Sequence, residues 1–317
     1  MILALRALGV GDLATAVPAL RALRAAYPDQ PLVLAAPAWL GPLVELVGGV
    51  DRLLPTDGLD RLARPVERVA VAVNLHGRGP RSHRLLAAAR PGRLLAFANA
   101  EAPHSDGPEW DDGEHEVRRW CRLLWAYDIP ADPTDLELRR PVPGVAADGL
   151  TVLHPGSKEP AKRWPAARYA ALARELAGRG HRVVLTGSAS ERDLVARTAY
   201  RAGLPATAVL AGRTDLAQLA ALIAGARLVV SADTGVAHLA TGYRTPSVVL
   251  FGPVPPARWG PPPERRRHRA LWAGARAWPE WDGTGDHPTM VALGVDEVLA
   301  AVDEVERAVR VDRAVAA

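Results

Sequence analysis

Short apolar runs alternate along the chain with segments whose apolar positions recur at helical spacing, the signature of repeated βα units. Ile2-Leu3-Ala4-Leu5 reads as a buried strand. Gly9-Val10-Gly11-Asp12 then turns into a helix with Leu13, Val17, Leu20 and Leu23 on one face, ending near Tyr27-Pro28. Leu32-Val33-Leu34-Ala35 is a second strand. Residues 69–75 form another, which ends in the polar cluster Asn74-Leu75-His76-Gly77-Arg78. From 130 to 149 prolines (Pro130, Pro133, Pro141, Pro143) and aspartates interrupt the rhythm, as a linker does. It restarts with a strand at Thr151-Val152-Leu153, a helix over about 166–180 stopped by Gly178 and Gly180, and a strand over 182–185. Thr214 or Asp215 caps a helix carrying Leu216, Leu219 and Ile223. Leu228-Val229-Val230-Ser231 feeds Asp233-Thr234-Gly235, Ser247-Val248-Val249-Leu250 closes the strand series, and a helix over about 296–309 ends the pattern. The expectation is an α/β chain of two consecutive doubly wound domains, 1–148 and 149–317, with the final helix a candidate to pack back on the first. Ligands are expected at the carboxyl ends of the strands, in a cleft between the domains.

Composition narrows the function. With 317 residues the chain has length for two domains with cores of their own. The formal charge is +4, and the densest basic run, Arg265-Arg266-Arg267-His268-Arg269, is short, so no nucleic-acid partner is expected. Cys121 is the single cysteine, which excludes an internal disulfide and a Cys-rich metal site. No His/Asp/Glu set has metal-ligand spacing, and no nucleophile triad is written. No apolar run approaches eighteen residues, and the chain opens on a strand-like run without a cleavable signal. A cytoplasmic protein is expected, with contact to the inner face of a membrane left open and no obligate protein partner inferred.

Arginine supplies all but two of the 39 basic side chains, and the two lysines, Lys158 and Lys162, sit four residues apart. A lysine is a movable point charge that follows a phosphate, where arginine is a flat fork. Their loop, His154-Pro155-Gly156-Ser157-Lys158 to Lys162-Arg163-Trp164-Pro165, follows a strand, exposes backbone N–H groups at small residues and leads into a helix. That suits a diphosphate; a plain surface turn is the competing reading. Ser231-Ala232-Asp233-Thr234-Gly235-Val236-Ala237-His238 places Thr234 and Gly235 at a helix N-terminus. Asp233 there repels phosphate and is expected to accept from a sugar hydroxyl or a backbone N–H, while an ordinary helix cap with a packed His238 competes. Asp12 is either a general base toward a hydroxyl nucleophile or a helix cap. Glu191, in Thr186-Gly187-Ser188-Ala189-Ser190-Glu191, is either a ribose ligand or a solvated helix-start acid. The tryptophans crowded late in the chain (Trp259, Trp272, Trp278, Trp281) suit sugar faces or packing equally well.

Taken together, four elements resemble glycosyltransferase family 9, the heptosyltransferase group with the GT-B fold. They are Leu5-Arg6-Ala7-Leu8-Gly9-Val10-Gly11-Asp12-Leu13 with Pro18-Ala19-Leu20, the lysine loop, Ser231 to Leu239, and Leu250-Phe251-Gly252-Pro253. The resemblance implies two Rossmann-like domains facing a central cleft and inverting transfer of a sugar, often heptose, from a nucleotide-sugar donor, ADP-linked in most cases. The acceptor it implies is a hydroxyl of a glycan or small natural product, with no cofactor required. By position, Asp12 matches the catalytic base. Gly156, Ser157 and Lys162 match the diphosphate ligands, Glu191 the ribose acid, and Asp233, Thr234, Gly235 and His238 the second donor loop. Arg78, Arg81 and Arg84 are candidates for the acceptor, against a solvated basic helix face. A GT-B-fold sugar-nucleotide epimerase and a non-catalytic nucleotide-sugar-binding protein remain as alternatives.

Overall fold

The computed structural model describes the chain except for residues 63–65, 67, 103, 142–148, 275–284 and 317. Pro143, Trp278 and Trp281 lie outside the described residues. The chain forms two compact units, Met1–Arg139 and Arg140–Ala317, dividing earlier than the boundary expected after residue 148.

The first unit runs β1 (Ile2–Leu5), α1 (Val10–Thr15), α2 (Val17–Ala26), β2 (Leu32–Ala36), α3 (Gly41–Val47), β3 (Arg52–Pro55), β4 (Val71–Asn74), α4 (Arg81–Ala87), β5 (Arg93–Leu95) and α5 (Glu116–Trp125). Its sheet has the order β3-β2-β1-β4-β5, with every pair parallel. The central strand β1 pairs Ile2 with Leu32 on one side and Val71 on the other, and all four of its residues are buried. This is why it reads as an unbroken apolar run. The chain winds outward from β1 to β3, then crosses to β4, so the carboxyl ends of β1 and β4 form the switch point where doubly wound sheets bind ligands.

The helix expected over Leu13 to Leu23 is two helices. Pro18 has no N–H to give, and α1 stops at Ala16, which also caps α2. Leu13, Val17, Leu20 and Leu23 are nonetheless all fully buried. The strand expected over 69–75 is assigned to Val71–Asn74, although ladder bonds run from Ala70 N–H to Met1 C=O and from Leu75 N–H to Leu5 C=O.

The second unit runs β6 (Thr151–His154), α6 (Ala166–Gly178), β7 (Val183–Leu185), α7 (Arg192–Ala202), α8 (Leu216–Gly225), β8 (Leu228–Ala232), α9 (Gly235–Gly242), β9 (Ser247–Phe251), α10 (Pro256–Trp259), β10 (His268–Trp272), α11 (Pro288–Val291) and α12 (Val295–Ala316). Its parallel sheet has the order β10-β9-β8-β6-β7, so the switch point lies at the ends of β6 and β8. Asp215, not Thr214, caps α8: its carboxylate accepts from Gln218 N–H at 2.8 Å. The strand series does not close at Leu250, because the basic run leads into a fifth strand, β10, beside β9. The final helix is longer than expected and lies on the second unit, packing on α6, β9 and β10 through Val298, Leu299, Val302 and Val305.

His268 shows what that burial costs. It is 5% exposed, its Nδ1 lies 2.9 Å from Ser247 Oγ, and burial, reinforced by Arg265, Arg267 and Arg244, pushes its pKa down from 6.5 to about 3. Between these two values the unfolded chain binds a proton that the folded protein does not. Stability therefore falls as pH drops below about 6.5, by up to about 1.4 kcal/mol per pH unit for this group. A series of Tm measurements from pH 7 to pH 4 is expected to show a shallower decline for His268→Gln than for wild type. Because His76, His83, His154, His181 and His287 are shifted in the same direction, the decline persists in part. Identical slopes would contradict this assignment.

Candidate active site

At the switch point of the first unit the backbone leaves β1 and turns a charged side chain inward. Arg6 is fully buried. Its guanidinium donates to Leu75 C=O, just past β4, and to Asp12 C=O at 2.7 Å, Thr15 Oγ1 at 3.2 Å and Glu116 Oε1 at 2.9 Å. The same group lies 4.6 Å over the Trp120 ring. Arg6 thus ties two strand ends to the first turn of α1 and to α5.

Asp12 sits at the third position of α1, where Gly9 is the N-cap. Its Oδ2 accepts from Gly9 N–H at 3.0 Å, while Oδ1 lies 3.6 Å from Arg6 Nη2. The helix-start role and an accessible carboxylate coexist, since the Asp12 side chain keeps 29% exposure. Beside it, His76 Nδ1 accepts from Ala7 N–H at 3.2 Å. Burial and the Arg6 charge push the His76 pKa down to about 4 against the pull of Asp12, so this imidazole is neutral at pH 7. Below Arg6, burial works to raise the Glu116 pKa, but Arg6, Arg119 and the Trp120 indole N–H outweigh it and hold the carboxyl below its ordinary range. What this edge offers chemically is one accessible carboxylate in a fixed orientation, able to accept a proton.

At the switch point of the second unit, β6 feeds the lysine loop. Gly156 lies against the Glu191 carboxylate: a Cβ there would come within 2.3 Å of Glu191 Cδ and displace that carboxylate. Glu191 Oε2 accepts from Ser188 N–H and Ser188 Oγ, both at 2.8 Å, which closes a capping box and leaves Oε1. Ser157 is buried, and its Oγ accepts from Glu159 N–H at 3.2 Å. Trp164, buried, donates its indole N–H to Leu293 C=O at 2.9 Å and so anchors the chain just past Lys162.

Lys162 ends a short 3-10 turn and reaches Asp233, immediately past β8, with Nζ 2.9 Å from Oδ2. The other Asp233 oxygen lies 3.5 Å from His238 Nε2, and the His238 ring meets Trp259 edge to face at 5.7 Å. Burial alone would raise the Asp233 pKa. His238, by hydrogen bond and charge, and Lys162 outweigh it, and the carboxylate is held below its ordinary range. Thr234 is the N-cap of α9, and its side-chain oxygen is buried with no hydrogen-bond partner. The first N–H groups of α9, at Gly235 and Val236, have no intrahelical acceptors. An ammonium with donors to spare beyond Asp233, a helix N-terminus and small residues are therefore assembled in one unit, and these are the parts of an anion site.

Asp233 was expected to accept from a sugar hydroxyl or a backbone N–H, and its partner in the structure is the Lys162 ammonium. Lys158 is exposed at the loop tip and makes no part of this cluster. Arg78, Arg81 and Arg84 are exposed, and each guanidinium answers a different surface partner: Asp112 at 3.9 Å, Asp60 at 2.6 Å and Glu101 C=O at 2.7 Å. Sequence reasoning missed Arg6, Glu116, Arg119 and Trp120 as parts of the site. The single signal was Arg6, a charged residue wedged between an apolar strand and a glycine turn. Among the described residues no group of three or more His, Cys, Asp or Glu side chains is placed to hold a metal ion. Among them, too, no helix is long and apolar enough to cross a membrane.

Two parallel α/β units, each with its polar residues gathered at a carboxyl edge, have the architecture of GT-B glycosyltransferases. The model of glycosyltransferase family 9 (heptosyltransferase) matches residues 107–282, more than half of the chain, and the chain belongs to that family. It is an enzyme of the glycosyltransferase class. It is 27% identical to lipopolysaccharide heptosyltransferase 2 of Escherichia coli K12 over 330 aligned residues, covering 92% of this chain and 94% of that one. A stretch of 156 residues is 40% identical to lipopolysaccharide heptosyltransferase 1 of Pseudomonas aeruginosa, covering 47% of this chain and 42% of the relative. The solved structure of the E. coli ADP-heptose LPS heptosyltransferase II superposes with a TM-score of 0.75 at 22% identity, over 96% of this chain and 98% of that one.

Proposed function

We propose that this chain transfers a heptose or closely related sugar, with inversion, from an ADP-linked donor to a hydroxyl of a glycan acceptor. The observation that carries this reading is the Lys162 ammonium held by buried Asp233 beside the N-terminus of α9. The base and sugar of the donor follow the relatives, which are lipopolysaccharide heptosyltransferases.

In the proposed reaction the acceptor oxygen attacks the anomeric carbon from the face opposite the diphosphate. As that bond forms, the bond from the anomeric carbon to the phosphate oxygen breaks, and its electron pair leaves on ADP. Asp12 takes the acceptor proton. Negative charge grows on the departing phosphate, so donors fixed in advance around it lower the barrier most. Lys162, the N–H groups at Thr234 and Gly235, and the Gly156-Ser157 turn fill that role, while Asp233 and His238 orient the ammonium. Glu191 Oε1 is assigned to the donor ribose. The reading assigns no cofactor, because the cationic role falls to Lys162. Arg78, Arg81 and Arg84 are assigned to an anionic acceptor, which places the enzyme at the inner face of a membrane when that acceptor is lipid-linked.

Thermal-shift measurements with ADP-, GDP-, UDP- and TDP-sugars test the donor. A ligand at about 100 times its Kd stabilises the fold by about 2.7 kcal/mol. ADP-heptose is expected to raise Tm by several degrees and the other nucleotide sugars by less. No shift with any of them would overturn the reading.

A further inference from the structure

The charges beneath Asp12 form a closed set. Arg6 and Arg119 supply two positive groups, Asp12 and Glu116 two negative ones. Their side-chain exposures are 0%, 4%, 29% and 6% respectively, so the balanced cluster opens to solvent at Asp12 alone. Burying such ions is a poor way to stabilise a fold, because desolvation offsets much of the attraction, and apolar side chains serve as well or better. The bonds of Arg6 also point away from a purely structural role. Three of its contacts go to α1: Asp12 C=O, Thr15 Oγ1 and, at 3.6 Å, the Asp12 carboxylate. Thr15 Oγ1 in turn donates to Asp12 C=O at 2.9 Å.

We propose that Arg6 and Glu116 are positioning residues for Asp12, with Glu116 drawing the Arg6 guanidinium back so that the Asp12 carboxylate stays oriented yet free to take a proton. This rests on Asp12 being the base. Glu116 Oε1, at 2.9 Å from the guanidinium, holds it more closely than Asp12 Oδ1 does, at 3.6 Å. With Glu116 neutral, Asp12 is the remaining carboxylate paired with Arg6 among the described residues, and a direct pair would engage the oxygen that must accept the proton. Arg119 donates to the other Glu116 oxygen, Oε2, the Trp120 indole N–H donates to Oε1, and the Trp120 ring also underlies Arg6, so the carboxylate cannot simply follow the guanidinium.

The test compares Glu116→Gln and Arg6→Lys with wild type and Asp12→Asn, measuring kcat, donor KM and Tm on folded enzyme. Glu116→Gln keeps the side-chain size and removes the charge, and Arg6→Lys keeps the charge and removes the fork. Both are expected to lose about 10-fold in kcat with donor KM within twofold, because a small misplacement of a reacting group is felt in turnover. A purely structural role would lower Tm and leave kcat per folded molecule unchanged. Wild-type kcat in both variants alongside an impaired Asp12→Asn overturns the positioning role alone. Wild-type kcat in Asp12→Asn overturns the base assignment and this inference with it. If one of the two variants does not fold, the other decides the question.

Discussion

Asp12→Asn is expected to lower turnover by about 10²- to 10⁴-fold, the range over which a positioned general base contributes. The substitution separates the helix-start role of Asp12 from its proposed role as base. Asparagine keeps the shape, and its carbonyl oxygen can still accept from Gly9 N–H, so the first turn of α1 stays formed. Arg6 keeps its bonds to Asp12 C=O, Thr15 and Glu116, so the buried network survives. What is lost is the ability to take a proton. Tm is expected to move by a few degrees at most and donor affinity hardly at all, because the donor residues belong to the second unit. If Asp12 were only a helix-start residue, asparagine would be a good substitute. Turnover within a few-fold of wild type would therefore show that the proton leaves by another route.

How much of this was legible in the sequence depends on distance along the chain. Strands β1, β2, β6, β8 and β9 announce themselves as apolar runs because both faces are covered. The edge strands β3, β5 and β10 were not read. β3 and β5 are short and open on an exposed arginine, and β10 emerges from a basic run whose His268 is buried by tertiary packing. Helix periodicity found the buried face of α1 and α2 but not the break at Ala16, which depends on Pro18. The loops after β1, β6 and β8 were recognisable since small and charged residues follow directly on strands. Their internal pairing was not. Lys162 and Asp233 are 71 residues apart, and Arg6 and Glu116 are 110 apart, so no local spacing hints at either contact. The expectation that Asp233 repels phosphate did not include its pairing with the Lys162 ammonium, the proposed diphosphate ligand. Glu191, likewise, serves the helix start and the proposed ribose site with different oxygens.

The second large effect concerns Lys162, and with it the central claim that the second unit stabilises a departing diphosphate. Two losses combine in Lys162→Ala. The cation is removed from the leaving group, and Asp233, buried at 5% side-chain exposure, loses its ammonium partner and keeps only the contact to His238 Nε2 at 3.5 Å among the ion pairs of the described residues. An uncompensated carboxylate beside the phosphate repels the charge that grows there, so the cost is expected to reach at least about 10²-fold in turnover. Lys158 provides the internal control: it lies in the same loop, has the same chemistry, and is exposed at the tip. The most direct measurement is therefore kcat with ADP-heptose for Lys162→Ala and Lys158→Ala side by side, with Tm recorded to confirm folding. Lys162→Ala is expected to lose about 10²-fold or more and Lys158→Ala to change by no more than a few-fold. Equal losses, or an unimpaired Lys162→Ala, would contradict the diphosphate role of Lys162.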